Sequence, residues 1–132
     1  MNVSQVATGS SFTAFLTRQG HVYTCGINSR GQLGHGDTQN ITSPKMIQFL
    51  CDVGPVVQVA AGSDYILSVT EVGSVYSFGS GYHFCLGHGE DDNEVLPRLI
   101  QKFRRNRICV VRVSAGDEHA AALDSNGFVS FI

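Results

Sequence analysis

The sequence has 132 residues, 42% of them hydrophobic and 15% charged, with a formal net charge of −2. This length supports one ordinary domain, and the composition excludes a disordered polymer. The near-neutral charge excludes a general attraction to nucleic acid or anionic membrane, and no apolar run approaches the ~18 residues that a membrane span needs.

From Val3 the chain repeats itself. Gly9, Gly62 and Gly116 are 53 and 54 positions apart, and Gly20, Gly73 and Gly127 keep the same steps, as do Val6, Val59 and Val113. Gly26 and Gly79, Leu33 and Leu86, His35 and His88, and Pro44 and Pro97 are each separated by 53. Self-similarity at a fixed period identifies a repeat architecture before any element is assigned. The chain divides into repeat 1 (3–55), repeat 2 (56–108) and a partial repeat 3 (109–132), all within one segment spanning 1–132.

Each repeat opens on a predicted strand, at 3–8, 56–61 and 110–115, ending in small residues before a glycine. Small side chains suit strands that converge on an axis, and the glycine predicts a positive φ or a tight bend just beyond. A second strand follows at 12–17, 65–70 and 119–124. A three-residue turn ending in Gly20, Gly73 or Gly127 leads to a third strand at 21–25 and 74–78. Strand, tight turn and strand at this spacing predict a hairpin. A polar loop then reaches Gly31, Gln32, Leu33, Gly34, His35 and Gly36, with a degraded copy around Leu86. Leu33 and Leu86 are its large apolar residues and are expected to plug it between neighbouring sheets. Pro44 and Pro97 are expected to open a fourth, outer strand at 45–49 and 98–103, since proline fits the start of an edge strand. No helix is predicted. The fold class is therefore all-β, a partial β-propeller built of four-stranded antiparallel blades.

The repeat carries Val56, Val59, Ala60, Gly62, Tyr65, Gly73, Val75, Tyr76 and Gly79, with Gly31, Gln32, Leu33, Gly34, Gly36, Asp37 and Pro44 in the loop. It closely resembles the repeat of the regulator of chromosome condensation family, over almost the whole chain. The resemblance implies a seven-bladed propeller, of which about two and a half repeats are present here. It also implies a fragment of a longer protein with open blade flanks, through which self-association is expected. The tryptophan usual before the strand-ending glycine is Cys25 in one copy and Phe78 in the other.

Residues following the inner-strand glycine lie on one rim near the axis. Here they include Ser10, Ser63, Asp64, Tyr65, Asp117, Glu118 and His119. In the family's founding exchange factor for the small GTPase Ran, the resemblance implies that acidic and histidine side chains of such loops approach the GTPase. Asp64, Tyr65, Asp117, Glu118 and His119 are thus the candidate partner-binding residues. The competing reading is that these polar groups cap their own loops through hydrogen bonds to backbone. For Tyr65 and His119 it is a buried ring that fixes the hairpin.

A basic patch, Lys102, Arg104, Arg105 and Arg107, is inserted between repeats. Clustered cations suit phosphates, chromatin or a nuclear address, although the nearby acidic run 90–94 is expected to neutralise them across an outer loop. Histidines 53 positions apart on different blades do not form a metal site, and nothing pairs a nucleophile with a base. No cofactor is expected. The N-terminus lacks a leader pattern, and the four cysteines form no C-x-x-C pair. Reduced thiols and a location in cytoplasm and/or nucleus are the expectation.

The functional expectation is a protein–protein interaction module without catalytic machinery. The alternative is a guanine-nucleotide exchange factor for a Ran-type small GTPase.

Overall fold

The computed structural model describes the backbone of residues 1–132 and every side chain except that of Phe84. Eleven strands form three antiparallel sheets. Blade 1 holds β1 (Val3–Thr8), β2 (Phe12–Thr17), β3 (Val22–Gly26) and β4 (Ile41–Met46), in that order. Blade 2 repeats the order with β5 (Val56–Ala61), β6 (Tyr65–Thr70), β7 (Val75–Gly79) and β8 (Glu94–Leu99). Blade 3 holds β9 (Val110–Ala115), β10 (Ala120–Asp124) and β11 (Val129–Phe131). Inner strand β5 lies against β1 on one side and β9 on the other, so the sheets fan outward as propeller blades.

The core is two layers, one between each pair of blades. Phe12, Ala14, Leu16 and Val22 of blade 1 meet Val56, Val59, Ile66 and Phe78 of blade 2. Tyr65, Leu67, Val69 and Val75 of blade 2 meet Val110, Val113, Ala120 and Ala122 of blade 3. Strand β6 is consequently buried at all six positions. Alternate residues face opposite sides of a strand, so β6 must be acceptable to a neighbour on both faces. Leu33 and Leu86 fill these two layers, as the loop spacing predicts. The outward face of blade 3 differs: Leu123, Val129 and Phe131 are 36%, 64% and 77% exposed. The counterparts of Leu123 and Val129, which are Leu16 and Val22 in blade 1 and Val69 and Val75 in blade 2, are buried, as are Thr24 and Ser77 at the position of Phe131.

The turns follow expectation. Gly20 and Gly73 take φ of +88° and +86°, and the amide of each donates to the threonine carbonyl three residues back. Gly62 is required for another reason. Its φ is not positive; instead, a Cβ there would lie 2.0 Å from the Tyr65 ring and 2.5 Å from the Gly116 carbonyl. Close approach, and not backbone handedness, excludes a side chain.

Two expectations are corrected. Pro44 and Pro97 lie inside β4 and β8, which begin at Ile41 and Glu94. Both sit where the ladder to the neighbouring strand is irregular, between Thr24 and Gly26 and between Ser77 and Gly79, on edge strands. The missing N–H is not needed there. Beyond these strands the chain forms two short helices, α1 (Gln48–Val53) and α2 (Gln101–Arg105), where strand was expected. Each buries a single anchor, Leu50 or Phe103, and neither has a side-chain N-cap. One anchor in five or six residues leaves no period to read, and tertiary packing supplies what such a short helix lacks.

Ser68, on β6, carries the one fully buried side-chain polar atom without a hydrogen-bond partner among the described residues. Removing an unsatisfied buried hydroxyl removes a desolvation cost. Ser68→Ala is expected to be neutral or to stabilise the fold by up to about 1 kcal/mol. Leu67→Ala, on the same strand, is expected to cost about 2–5 kcal/mol. Urea unfolding of the two variants measures both.

Candidate functional site

Polar seams join the blades and set the height of the rim loops. Gln58 sits mid-strand on β5. Its Nε2 donates to the Val113 carbonyl at 2.8 Å, and its Oε1 accepts from the Val113 amide at 2.8 Å. Gln5 makes the same kind of bridge from β1, to the Val57 carbonyl at 3.3 Å and from the Val59 amide at 3.4 Å. Sequence reading missed both, although they share one repeat position.

On the rim, each inner-strand glycine closes a tight turn. Its amide donates to the carbonyl of Phe12, Tyr65 or His119, three residues on. Adjacent turns are then stitched together. The Ser10 amide donates to the Ser63 carbonyl, and its hydroxyl lies 2.9 Å from both that carbonyl and Asp64 Oδ1. Tyr65 lies beneath the rim, 1% exposed. Its hydroxyl is shared between the carbonyls of Gly116 at 2.7 Å and His119 at 2.8 Å, both on blade 3. Burial, then the charges of Cys85 and Asp117, pushes its pKa up, so the phenol stays protonated as the donor this contact needs. Its ring is thus a bolt between blades, where a contact within its own hairpin was expected. His119, in the equivalent position, is exposed, and Phe12 has no hydroxyl.

Ser63, Asp64, Ser80, Tyr82, Cys85, Asp117 and Glu118 line a crevice of about 70 Å³ above Tyr65. Three of the predicted carboxylates therefore converge from two blades. Asp64 is held in part by Ser10. Glu118 pairs with His83 at 3.2 Å, and the His83 ring lies 4.0 Å from that of Tyr82. Asp117 is exposed and joins no ion pair among the described residues. The sequence carried no signal for Tyr82 and His83, because neither recurs in phase. The Cys85 thiol, raised to about 11 mainly by burial, is not a ready nucleophile.

The basic patch does not meet the acidic run as expected. Glu90 and Glu94 both pair with Arg98 on β8. Lys102 turns toward blade 3 and donates to the Phe131 carbonyl. Arg104, Arg105 and Arg107 are exposed and unpaired among the described residues. No group of three or more metal-ligating side chains occurs among the described residues, and the four cysteines are free.

His35 and His88 have a repeated structural role. The Thr24 hydroxyl donates to the Leu33 carbonyl at 2.7 Å, which leaves it only an accepting role toward His35 Nε2 at 2.9 Å. Ser77 does the same for the Leu86 carbonyl at 2.7 Å and His88 Nε2 at 2.8 Å. Each imidazole is therefore an Nε2–H donor that ties its loop to a blade.

Four-stranded blades fanned about a line, with polar rim loops near the inner strands, define a segment of a β-propeller. The profile of the Regulator of chromosome condensation (RCC1) repeat matches residues 19–69 and 72–123, and a second profile of the same description matches 3–32. The chain belongs to the Regulator of chromosome condensation (RCC1) repeat family. It is 33% identical to the E3 ubiquitin-protein ligase HERC2 of Homo sapiens over 97% of its own length, but spans only 3% of that protein. Human WBSCR16 superposes with a TM-score of 0.87 at 29% identity, over 98% of this chain and 32% of that one. Prp20p of Saccharomyces cerevisiae shares the fold, with a TM-score of 0.81 at 22% identity over 91% of this chain and 30% of that one.

Tyr65→Phe keeps the ring and leaves the Gly116 carbonyl without this donor, while the His119 carbonyl keeps the Gly116 amide. It is expected to cost about 1–2 kcal/mol in urea unfolding and to speed hydrogen exchange around Gly116. Burial, then the charges of Lys45 and Arg98 respectively, holds the His35 and His88 pKa values below the ordinary 6.5. The unfolded chain therefore takes up protons at these residues before the folded chain does. Their contribution to stability is full above pH 6.5, declines as pH falls toward the lowered folded values, and levels off below them. The double variant His35→Gln, His88→Gln is expected to lose this part of the pH dependence, as measured by urea midpoints between pH 7.5 and 5.

Proposed function

We propose that this segment is a protein-interaction module whose rim, at the junction of blades 2 and 3, receives a basic surface of a protein partner. The observation that supports this reading is the convergence of Asp64, Asp117 and Glu118 from two blades beside Tyr82, which is 66% exposed. Loops mounted on a rigid sheet are suited to recognition, and an exposed aromatic beside carboxylates, of which Asp117 has no ion-pair partner among the described residues, is a fitting anchor for Lys or Arg side chains. The reading is one of non-covalent recognition by the side chains that line the crevice. The exposed apolar flank of blade 3, with Leu123, Val129 and Phe131, is a second association surface in the same proposal.

Nucleotide exchange on a Ran-type GTPase is the alternative use of this rim. It is favoured by the fold shared with Prp20p, a protein described by its binding to Gsp1p and histones. An exchange factor acts by holding the nucleotide-free partner more tightly than the nucleotide-bound one, which an acidic rim is equipped to do by differential contact.

Charge reversal tests the rim directly. The variant Asp64→Lys, Asp117→Lys, Glu118→Lys and the unsubstituted chain are each immobilised, and proteins captured from cell extract are quantified and then titrated individually. At least one partner is expected to bind the variant about tenfold more weakly or worse, with an affinity that falls steeply as salt rises. Identical capture by both chains would exclude the rim as the binding face. Release of a fluorescent guanine nucleotide from a Ran-type GTPase, measured with the full-length parent protein, separates the alternative: no acceleration removes it.

A further inference from the structure

The repeats provide an internal control, because a residue that the blade requires should recur in each copy. On the face opposite the rim, a cleft of about 470 Å³ lies between the β6–β7 turn, α2 and the segment leading to β9. Its size is within the range of pockets that hold small ligands or anchor side chains. Its walls include Val53, Val72, Leu99 and Ile108, and its mouth carries Arg104 and Arg107.

Three of these residues depart from the pattern of the other blades. Val72 is 73% exposed at the tip of the turn, where blades 1 and 3 carry the polar Gln19 and Asn126. Arg104 and Arg107 stand where blade 1 has Cys51 and Gly54. Gly54 has a φ of +111°, and Arg107 also adopts a left-handed backbone, at +54°. Glycine adopts such a φ without strain and arginine does not, so the backbone alone favours glycine. Nothing in the local backbone calls for an arginine at this position. Neither arginine has an acidic partner among the described residues, which leaves two cations with their charge uncompensated beside a hollow lined by both aliphatic and polar groups.

We infer that this cleft is a docking site for an acidic peptide segment of a partner protein. One apolar side chain of the peptide enters between Val72 and Ile108, and flanking carboxylates pair with Arg104 and Arg107. Guanidinium groups suit this role because they present a planar fork of donors to a carboxylate. A peptide fits better than a nucleic acid because the aromatic rings lining the cleft are already engaged. Tyr76 meets Phe49 edge-on at 6.2 Å, and Phe103 is buried with the Lys102 ammonium 5.4 Å from its ring centroid. Each of these rings already has a neighbour, and two arginines match the few carboxylates of a peptide more closely than the continuous phosphates of a polynucleotide.

The test is fluorescence anisotropy with a labelled peptide of a central leucine flanked on both sides by aspartates. Saturable binding is expected. It should weaken about tenfold or more when the aspartates are replaced by asparagines, and likewise in the double variant Arg104→Gln, Arg107→Gln. Val72→Asn, which installs the blade 3 residue, should weaken it several-fold. Arg105→Gln, on the same helix but outside the cleft, should leave it within about twofold. Unchanged urea midpoints establish that the variants remain folded. The inference is overturned by absence of saturable binding, by equal binding to the double variant, or by an oligonucleotide of matched charge that binds more tightly and displaces the peptide. Because the cleft and the rim lie on opposite faces, loss of one binding activity leaves the other measurable.

Discussion

No sheet in this structure can bury itself. Each blade offers an apolar face that only the adjacent blade can cover, and β6, buried at every position, depends on two such neighbours at once. Stability in such an array is a sum over units and the contacts between nearest neighbours. The polar features follow from this. Neighbouring inner strands belong to different sheets, and the glutamine amides supply hydrogen bonds between them. Where the blades part at the rim, Tyr65 reaches across with a single hydroxyl. Apolar area supplies most of the stabilisation between blades, and these few hydrogen bonds determine how the blades are aligned.

Much of the fold was legible because burial imposes a period. Glycines at turns, valines on inner strands and the leucines of the polar loop recur because the same geometric demand recurs, and their phase gave the blades and their order. What escaped was either too short to have a period or was fixed across the seams. Helices α1 and α2 rest on one buried side chain each. Gln5 and Gln58 were in phase, but a glutamine in a strand looks like a solvated residue until the neighbouring strand is in view. Pro44 and Pro97 were read as the beginnings of strands, whereas the break in the adjacent ladder lets them sit within. Of the rim, the sequence supplied the carboxylates and their loops. It did not supply Tyr82 and His83, which come from a loop that has diverged from its copy.

Differences between repeats carry as much information as their agreements. Phe12, Tyr65 and His119 occupy one position and do three things: the first only packs, the second packs and bonds, and the third is exposed. Val72 likewise differs from both other copies of its position, and Arg104 and Arg107 differ from the one other copy, Cys51 and Gly54. A scaffold specified by repetition leaves its non-repeating residues available for recognition: the proposed cleft carries Val72, Arg104 and Arg107, and the rim carries Tyr82 beside the in-phase acids Asp64 and Glu118.

Gln58 also has a bearing on axial alignment. When the carbonyl and amide of Gln58 both engage one residue, as they do at Val113, a slide of the neighbouring strand by one residue turns that strand's N–H and C=O to the other side and leaves the side chain without either partner. The side chain therefore acts as a key, fixing how far one blade stands along the axis relative to the next. The height at which Asp64 faces Asp117 is in this sense set well below the rim, by a residue that no ligand bound there would touch.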